Sequence, residues 1–118
     1  MKLCHFDYFL KENEKIIHMA NCTFKSYNEY KIIDMEGIFI ASNMRLLFCN
    51  IIGEHPHLMY DYEYKYTTNL QIKGDGEDYL FFKYDGYPVK IIDIKKSDLD
   101  FFMNIINRFK EDLNLINL

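Results

Sequence analysis

The chain is 118 residues long, 49% hydrophobic and carries a net charge of -4, a size and balance that suit one domain around one hydrophobic core. Ten Phe and ten Tyr with only two Pro exclude a disordered or linker-like chain. The acidic balance disfavours a phosphate backbone as partner, so no nucleic acid is expected.

Taken in chain order, Leu3, Phe6 and Leu10 have helical spacing, with Phe9 close to the same stripe, and predict a short N-terminal helix within residues 1–13. From residue 14 the texture is that of strands. Ile16, Ile17, Met19, Cys22 and Phe24 lead to a polar turn at 26–29. Residues 30–41 resume the β pattern, and Ser42-Asn43 is a hairpin turn, because Asn tolerates positive φ and Ser bonds to nearby backbone. Residues 44–52 form the next strand, 53–56 a break, and 58–64 and 66–73 two further runs. Asp75-Gly76 and Asp85-Gly86 are hairpin turns on either side of a strand at 78–84. The strand at 87–94 holds Val89, Ile91, Ile92 and Ile94.

The period then changes. Ser97 with the acids Asp98 and Asp100 marks a helix start. Leu99, Phe102, Met103, Ile106, Phe109 and Leu113 fall on one face, which Phe101 and Ile105 widen. The expectation is a mainly β fold: about seven antiparallel strands in an open barrel or sandwich (14–95). A helix at 97–113 covers its open end. Many of the phenylalanines (Phe24, Phe39, Phe48, Phe81 or Phe82, Phe102 and Phe109) are core candidates that fill such a barrel.

This order, and one motif within it, resembles the bacterial pleckstrin-homology (PH) domain family, of the YokE-like kind. The motif reads Gly37-Ile-Phe-Ile-Ala-Ser42-Asn43-Met-Arg45-Leu46-Leu47-Phe48. An opening Glu14-Lys-Ile16 and an aromatic-acid step at Tyr60-Asp61 accompany it. The resemblance spans about residues 10–113 and implies a PH-like barrel with a capping helix. In Gly37, Ser42, Asn43, Arg45, Leu46 and Phe48 it marks residues with a mainly structural role. Arg45 is suited to an anion or to an acid on a neighbouring strand, and the second is favoured because hairpin geometry sets this part of the pattern. Ser42 stands where the family more often has Thr. Eukaryotic relatives bind phosphoinositides with clustered Lys and Arg around the first hairpin. Here that hairpin offers Lys25 and Lys31 with Glu29 between them.

Other constellations point to little chemistry. Tyr60, Tyr62, Tyr64 and Tyr66 share one face if the segment is a continuous strand. They are then either a partner surface or a ring row that fills the barrel, and the second fits their acidic surroundings better. Residues 54–85 hold seven acids and three lysines, the whole of the charge surplus. His55 and His57, near Glu54 and Asp61, are the one ligand-like cluster, at a spacing that matches no standard zinc motif. His18 and Cys22 lie about 13 Å apart on a strand, too far for a thiolate–imidazole pair. Gly74-Asp-Gly76 lacks the pattern of a phosphate loop. Three cysteines, widely spaced and odd in number, argue against a disulfide framework and for a reducing cytoplasm. No apolar leader segment or membrane span is evident.

The reading is a non-catalytic cytoplasmic binding or adaptor module without metal or cofactor. Its partner is a protein or peptide at a sheet edge or in the groove beside the C-terminal helix, or a second copy. A membrane-surface or lipid binder is the alternative, and a metal protein or enzyme using His55 and His57 the third.

Overall fold

A computed structural model describes residues 9–27, 32–74 and 78–116. Cys4, His5, Lys31, the Asp75-Gly76 turn, most of the first hairpin turn and most of the expected N-terminal helix lie outside these residues. Within 9–13 only Phe9 has 3₁₀ geometry, and a turn at Glu12-Asn13 leads into the sheet.

Seven strands follow: β1 (Ile16–Tyr27), β2 (Ile32–Ser42), β3 (Arg45–Ile52), β4 (His55–Glu63), β5 (Thr67–Gly74), β6 (Asp78–Tyr84) and β7 (Tyr87–Ile92). One 3₁₀ turn, Tyr64–Tyr66, separates β4 from β5, and helix α1 (Lys96–Ile116) closes the fold. All strands join one sheet in the order β4-β3-β2-β1-β7-β6-β5, and every pairing is antiparallel. The pattern is a meander whose first strand returns to pair with the last. β1 pairs with β2 along its length and with β7 over Thr23–Ser26.

Turn chemistry explains two of the hairpins. Gly53 and Glu54 both have positive φ (58° and 68°), as do Asp85 and Gly86 (52° and 85°). This is the backbone that matches the twist of flanking strands. The break expected at 53–56 is therefore only two residues long. β4 starts at His55 and carries Pro56 inside it, opposite Ile51. That is tolerated because β4 is an edge strand.

Three strands carry one extra residue: Ile17 in β1, Met59 in β4 and one residue in β5 beside Asn69, whose φ is 55°. Each bulge exchanges the faces. Ile16 thus packs on the outer side of the sheet, whereas Ala20, Cys22 and Phe24 face inward.

Two cores result. Inside the curled sheet, Phe24, Phe39, Phe48, Leu46, Leu80, Phe82 and Ile91 are fully buried together with Leu99, Phe102 and Ile106 of α1. On the outer face Ile38, Ile40, Leu47 and Cys49 are covered in part by Phe9, Leu10, Ile16 and Met19. Of the core phenylalanines expected from sequence, Phe109 is half-buried. Phe82 rather than Phe81 takes the inner position. Phe101 is 57% exposed, because it sits at the rim of the face that α1 presents.

Gly37 is needed for close approach. A Cβ there would lie 2.8 Å from Phe48 Cζ and far inside contact distance of the Cys49 carbonyl. Gly37→Ala is expected to destabilise the fold by about 3 kcal/mol, since neither neighbour can yield without moving the β2–β3 pair. Urea unfolding with an unchanged slope and a lowered midpoint would register it. An unshifted midpoint would show that the strand pair has slack.

Candidate functional site

The β2–β3 hairpin holds the densest polar cluster among the described residues. Ser42 Oγ accepts from the backbone N–H of Met44 and Arg45, both at 3.0 Å. Its own proton goes to Glu14 Oε2 at 2.6 Å. Asn43 works through its side chain rather than through a positive φ. Its Oδ1 accepts from Lys15 N (2.8 Å) and its Nδ2 donates to Asn13 O (3.0 Å), which ties the turn to the start of β1.

Arg45 is only 4% exposed. Its Nε and Nη2 grip Glu14 at 3.0 Å each, Nη1 donates to Asp61 at 2.7 Å, and Nη2 also reaches Phe9 O at 3.1 Å. Lys11 N donates to Glu14 Oε1 as well (2.9 Å). Burial by itself pushes the Glu14 carboxyl up. The hydrogen bonds from Arg45, Ser42 and Lys11, and the charge of Arg45, outweigh it and hold Glu14 below its ordinary value. Arg45 is likewise raised, its two acids outweighing burial. Asp61 lies on β4 and is half exposed, so it adds less than Glu14. Leu46 and Phe48 point to the inner core.

The tyrosine row is not one strand. β4 ends at Glu63 and the backbone turns through Tyr64–Tyr66. Tyr60 and Tyr62 line the inner face. Their rings lie 4.7 and 6.4 Å from Phe24. Tyr64 is buried, donates to Ser42 O at 2.7 Å and stacks on Phe109 at 4.9 Å. Burial first, and neighbouring acids or tyrosines second, pushes Tyr62 and Tyr64 up. Tyr66 alone faces solvent, 53% exposed, with Lys65 Nζ 4.9 Å from its ring centre. β4 and β5 do not pair, and side chains close this seam. Glu63 N donates to Tyr84 Oη (3.3 Å), and the Tyr62 and Tyr84 rings meet edge to face. Lys110 of α1 donates to Thr67 O, and burial lowers its pKa.

His55 and His57 are exposed on the edge strand. Among the described residues no three His, Cys, Asp or Glu side chains converge as a metal site. Cys22 and Cys49 are buried and unbridged, and burial pushes both thiols up to about 12. Lys25 is paired with Asp34 at 3.8 Å.

Two details had no clear sequence signal, the pair of His18 with Asp98 and the outward turn of Ile17 at the β1 bulge. His18 Nε2 donates to Asp98 at 2.7 Å, joining β1 to the first turn of α1, and its ring lies against Phe101 (4.8 Å, stacked) and Phe102 (5.0 Å, edge-on). Beside this pair runs a groove of about 570 Å³ between β1 and α1, lined by the apolar Ile17, Phe101 and Ile105 and by the polar Ser97, Asp100, Asn104 and Arg108. The β1 bulge aims Ile17 outward, leaving it 47% exposed. A bulge leaves no mark in composition. The polar neighbours of Phe101 on the helix were its one available sign.

A sequence model described as the bacterial PH domain matches residues 10–108. The chain belongs to the bacterial PH domain family. Solved structures agree on the fold. A Vav1 chain, solved with an allosteric inhibitor, superposes with a TM-score of 0.71 at 10% identity over 92% of this chain. The linker-DH/PH structure of p115-RhoGEF gives 0.67 at 12% over 93%. The C-terminal domain of an unknown protein from Leishmania infantum gives 0.61 at 10%, covering 90% of this chain and 92% of that one. This bacterial PH domain spans 31% of the Vav1 chain and 33% of the p115-RhoGEF chain. No curated protein matches it in sequence. No helix among the described residues is long and apolar enough to cross a membrane.

The buried pair of this bacterial PH domain sets a pH response. Glu14 is held below its ordinary 4.5 in the fold. Its contribution is therefore full above that value and is lost as pH falls through the lower folded pKa. Stability should drop on acidification below pH 4.5, and Glu14→Gln should flatten that drop. Arg45→Met is expected to cost about 3 kcal/mol at neutral pH, because it leaves a buried carboxylate unpaired, and adding Glu14→Gln should recover part of it. Chemical unfolding of the four species between pH 3 and pH 7 (roughly the range in which carboxylates titrate) checks both. Strictly additive costs would contradict the coupling.

Proposed function

We propose that this PH domain is a single-domain, non-catalytic binding or adaptor module. It takes a protein or peptide partner in the groove between β1 and α1. The carrying observation is the exposure of Ile17 and Phe101 side by side, with Phe101 fixed against His18. An aromatic ring held in place beside an aliphatic residue, with polar groups around them, is suited to anchor a contact.

The free sheet edges are poorer candidates. β4 carries Pro56 and the Met59 bulge, and β5 has its bulge beside Asn69. Bulges and proline blunt an edge against an added strand. The motif residues Ser42, Asn43, Arg45, Leu46 and Phe48 take a structural part in this reading, because their polar and apolar groups are spent inside the fold. The buried thiols Cys22 and Cys49 suit a reducing, cytoplasmic setting.

The test places a photoreactive phenylalanine analogue at position 101 and, in a separate variant, at the exposed position 83 on β6 as control. Polypeptide adducts from 101 that disappear with Ile17→Asp, and none from 83, are expected. No adduct from 101, or salt-sensitive binding to anionic vesicles in its place, would overturn the reading in favour of no partner or of a lipid surface.

A further inference from the structure

Along α1 the outward row at every fourth position reads Asp100, Asn104, Arg108. All three side chains are exposed. Among the described residues neither Asp100 nor Arg108 has an ion-pair partner. The two charges lie about 12 Å apart along the helix axis, with Asn104 midway between them. Such a row is its own complement when reversed. Rotated by two-fold symmetry about Asn104, the acid meets the base and the base meets the acid. The flanking positions Lys96 and Asp112, also exposed, repeat the same opposition around the same centre.

We propose that the β1–α1 groove is an isologous interface, in which α1 packs antiparallel against α1 of a second copy of this chain. The inference rests on the groove reading given above and names its partner. Rows at every fourth position are the ridges that interlock in the commonest helix crossing, near -50°, which brings this row alongside its own copy. Two-fold symmetry then duplicates each favourable pair. The apolar lining lies beside the row, so Phe101 and Ile17 of each copy are covered by the other. Exposed ion pairs add little affinity singly and act mainly on orientation. Here they select antiparallel over parallel packing, because parallel packing would set like charges side by side.

Sedimentation equilibrium of the purified chain across a concentration series tests this, with circular dichroism to confirm that each variant is folded. A reversible monomer–dimer equilibrium is expected. Arg108→Asp and Asp100→Arg should each weaken it roughly tenfold or more, since each reversal creates two like-charge contacts. Mixing these two variants should restore dimerisation, because every contact across the mixed dimer is again between opposite charges. A monomer at all concentrations, a dimer indifferent to both reversals, or a mixture that fails to recover would each overturn the proposal. A monomer whose position 101 still crosslinks to a different polypeptide overturns the dimer and leaves the groove reading standing. A charge-dependent dimer supports both.

Discussion

The pairing of Glu14 with Arg45 is the interaction on which the arrangement of this sheet depends. An isolated carboxylate buried in protein costs several kcal/mol, and only a complete set of partners offsets it. Glu14 has that set: Lys11 N and Arg45 Nη2 on one oxygen, Arg45 Nε and Ser42 Oγ on the other. The geometry leaves little freedom, so the segment before β1 is fixed where it must lie. Phe9 and Leu10 are thereby laid over Ile38, Ile40, Leu47 and Cys49, and the outer face of β2 and β3 becomes a second core. The same knot reaches the other side of the molecule through Ser42, whose carbonyl accepts from Tyr64, whose ring in turn stacks on Phe109 of α1.

From that fixed hairpin the sheet curls, and bulges decide what each face shows. The extra residue in β1 turns Ile16 to the outer core and Ile17 to the groove. The extra residue in β4 lets Leu58 pack outside while Tyr60 packs inside. Polar side chains then bind the helix to the barrel end: Asp98 to His18 at one end and Lys110 to the Thr67 carbonyl further along. The interaction surface follows from how this end is capped. α1 covers the opening with Leu99, Phe102 and Ile106, and the residues one step around the helix are left at the rim.

Much of this was legible in the sequence, and the physical reason is locality. Alternation, the Asp85-Gly86 turn and the helical stripe after Ser97 are each set by residues close in the chain, and they define the strands, the helix and the family. What depended on distant contacts was not legible. The alternation of Tyr60 to Tyr66 leaves open whether the four rings share one strand face, and the backbone turns at Tyr64, whose hydroxyl and ring are held by Ser42 and Phe109. Arg45 suggested an acid on a neighbouring strand, and Asp61 is there. The dominant partner, Glu14, comes from outside the hairpin. Phe101 matches the apolar stripe in periodicity and lies outside the core, stacked on His18 and 57% exposed.

The pairing of β1 with β7 also bears on how the chain reaches this state. β1 to β4 are joined by successive hairpins and can associate from local contacts. The inner surface they make, with Phe24 stacked 4.8 Å from Phe48, has no cover until β6, β7 and α1 are in place. The strand made first is therefore completed last, when Val89–Ile92 closes onto Thr23–Ser26. Pairings so remote in sequence slow the final step. For a chain emerging from the ribosome, the interval between β4 and β7 is one in which an aromatic surface stands open. It is the stage at which misassembly with another nascent chain competes with folding.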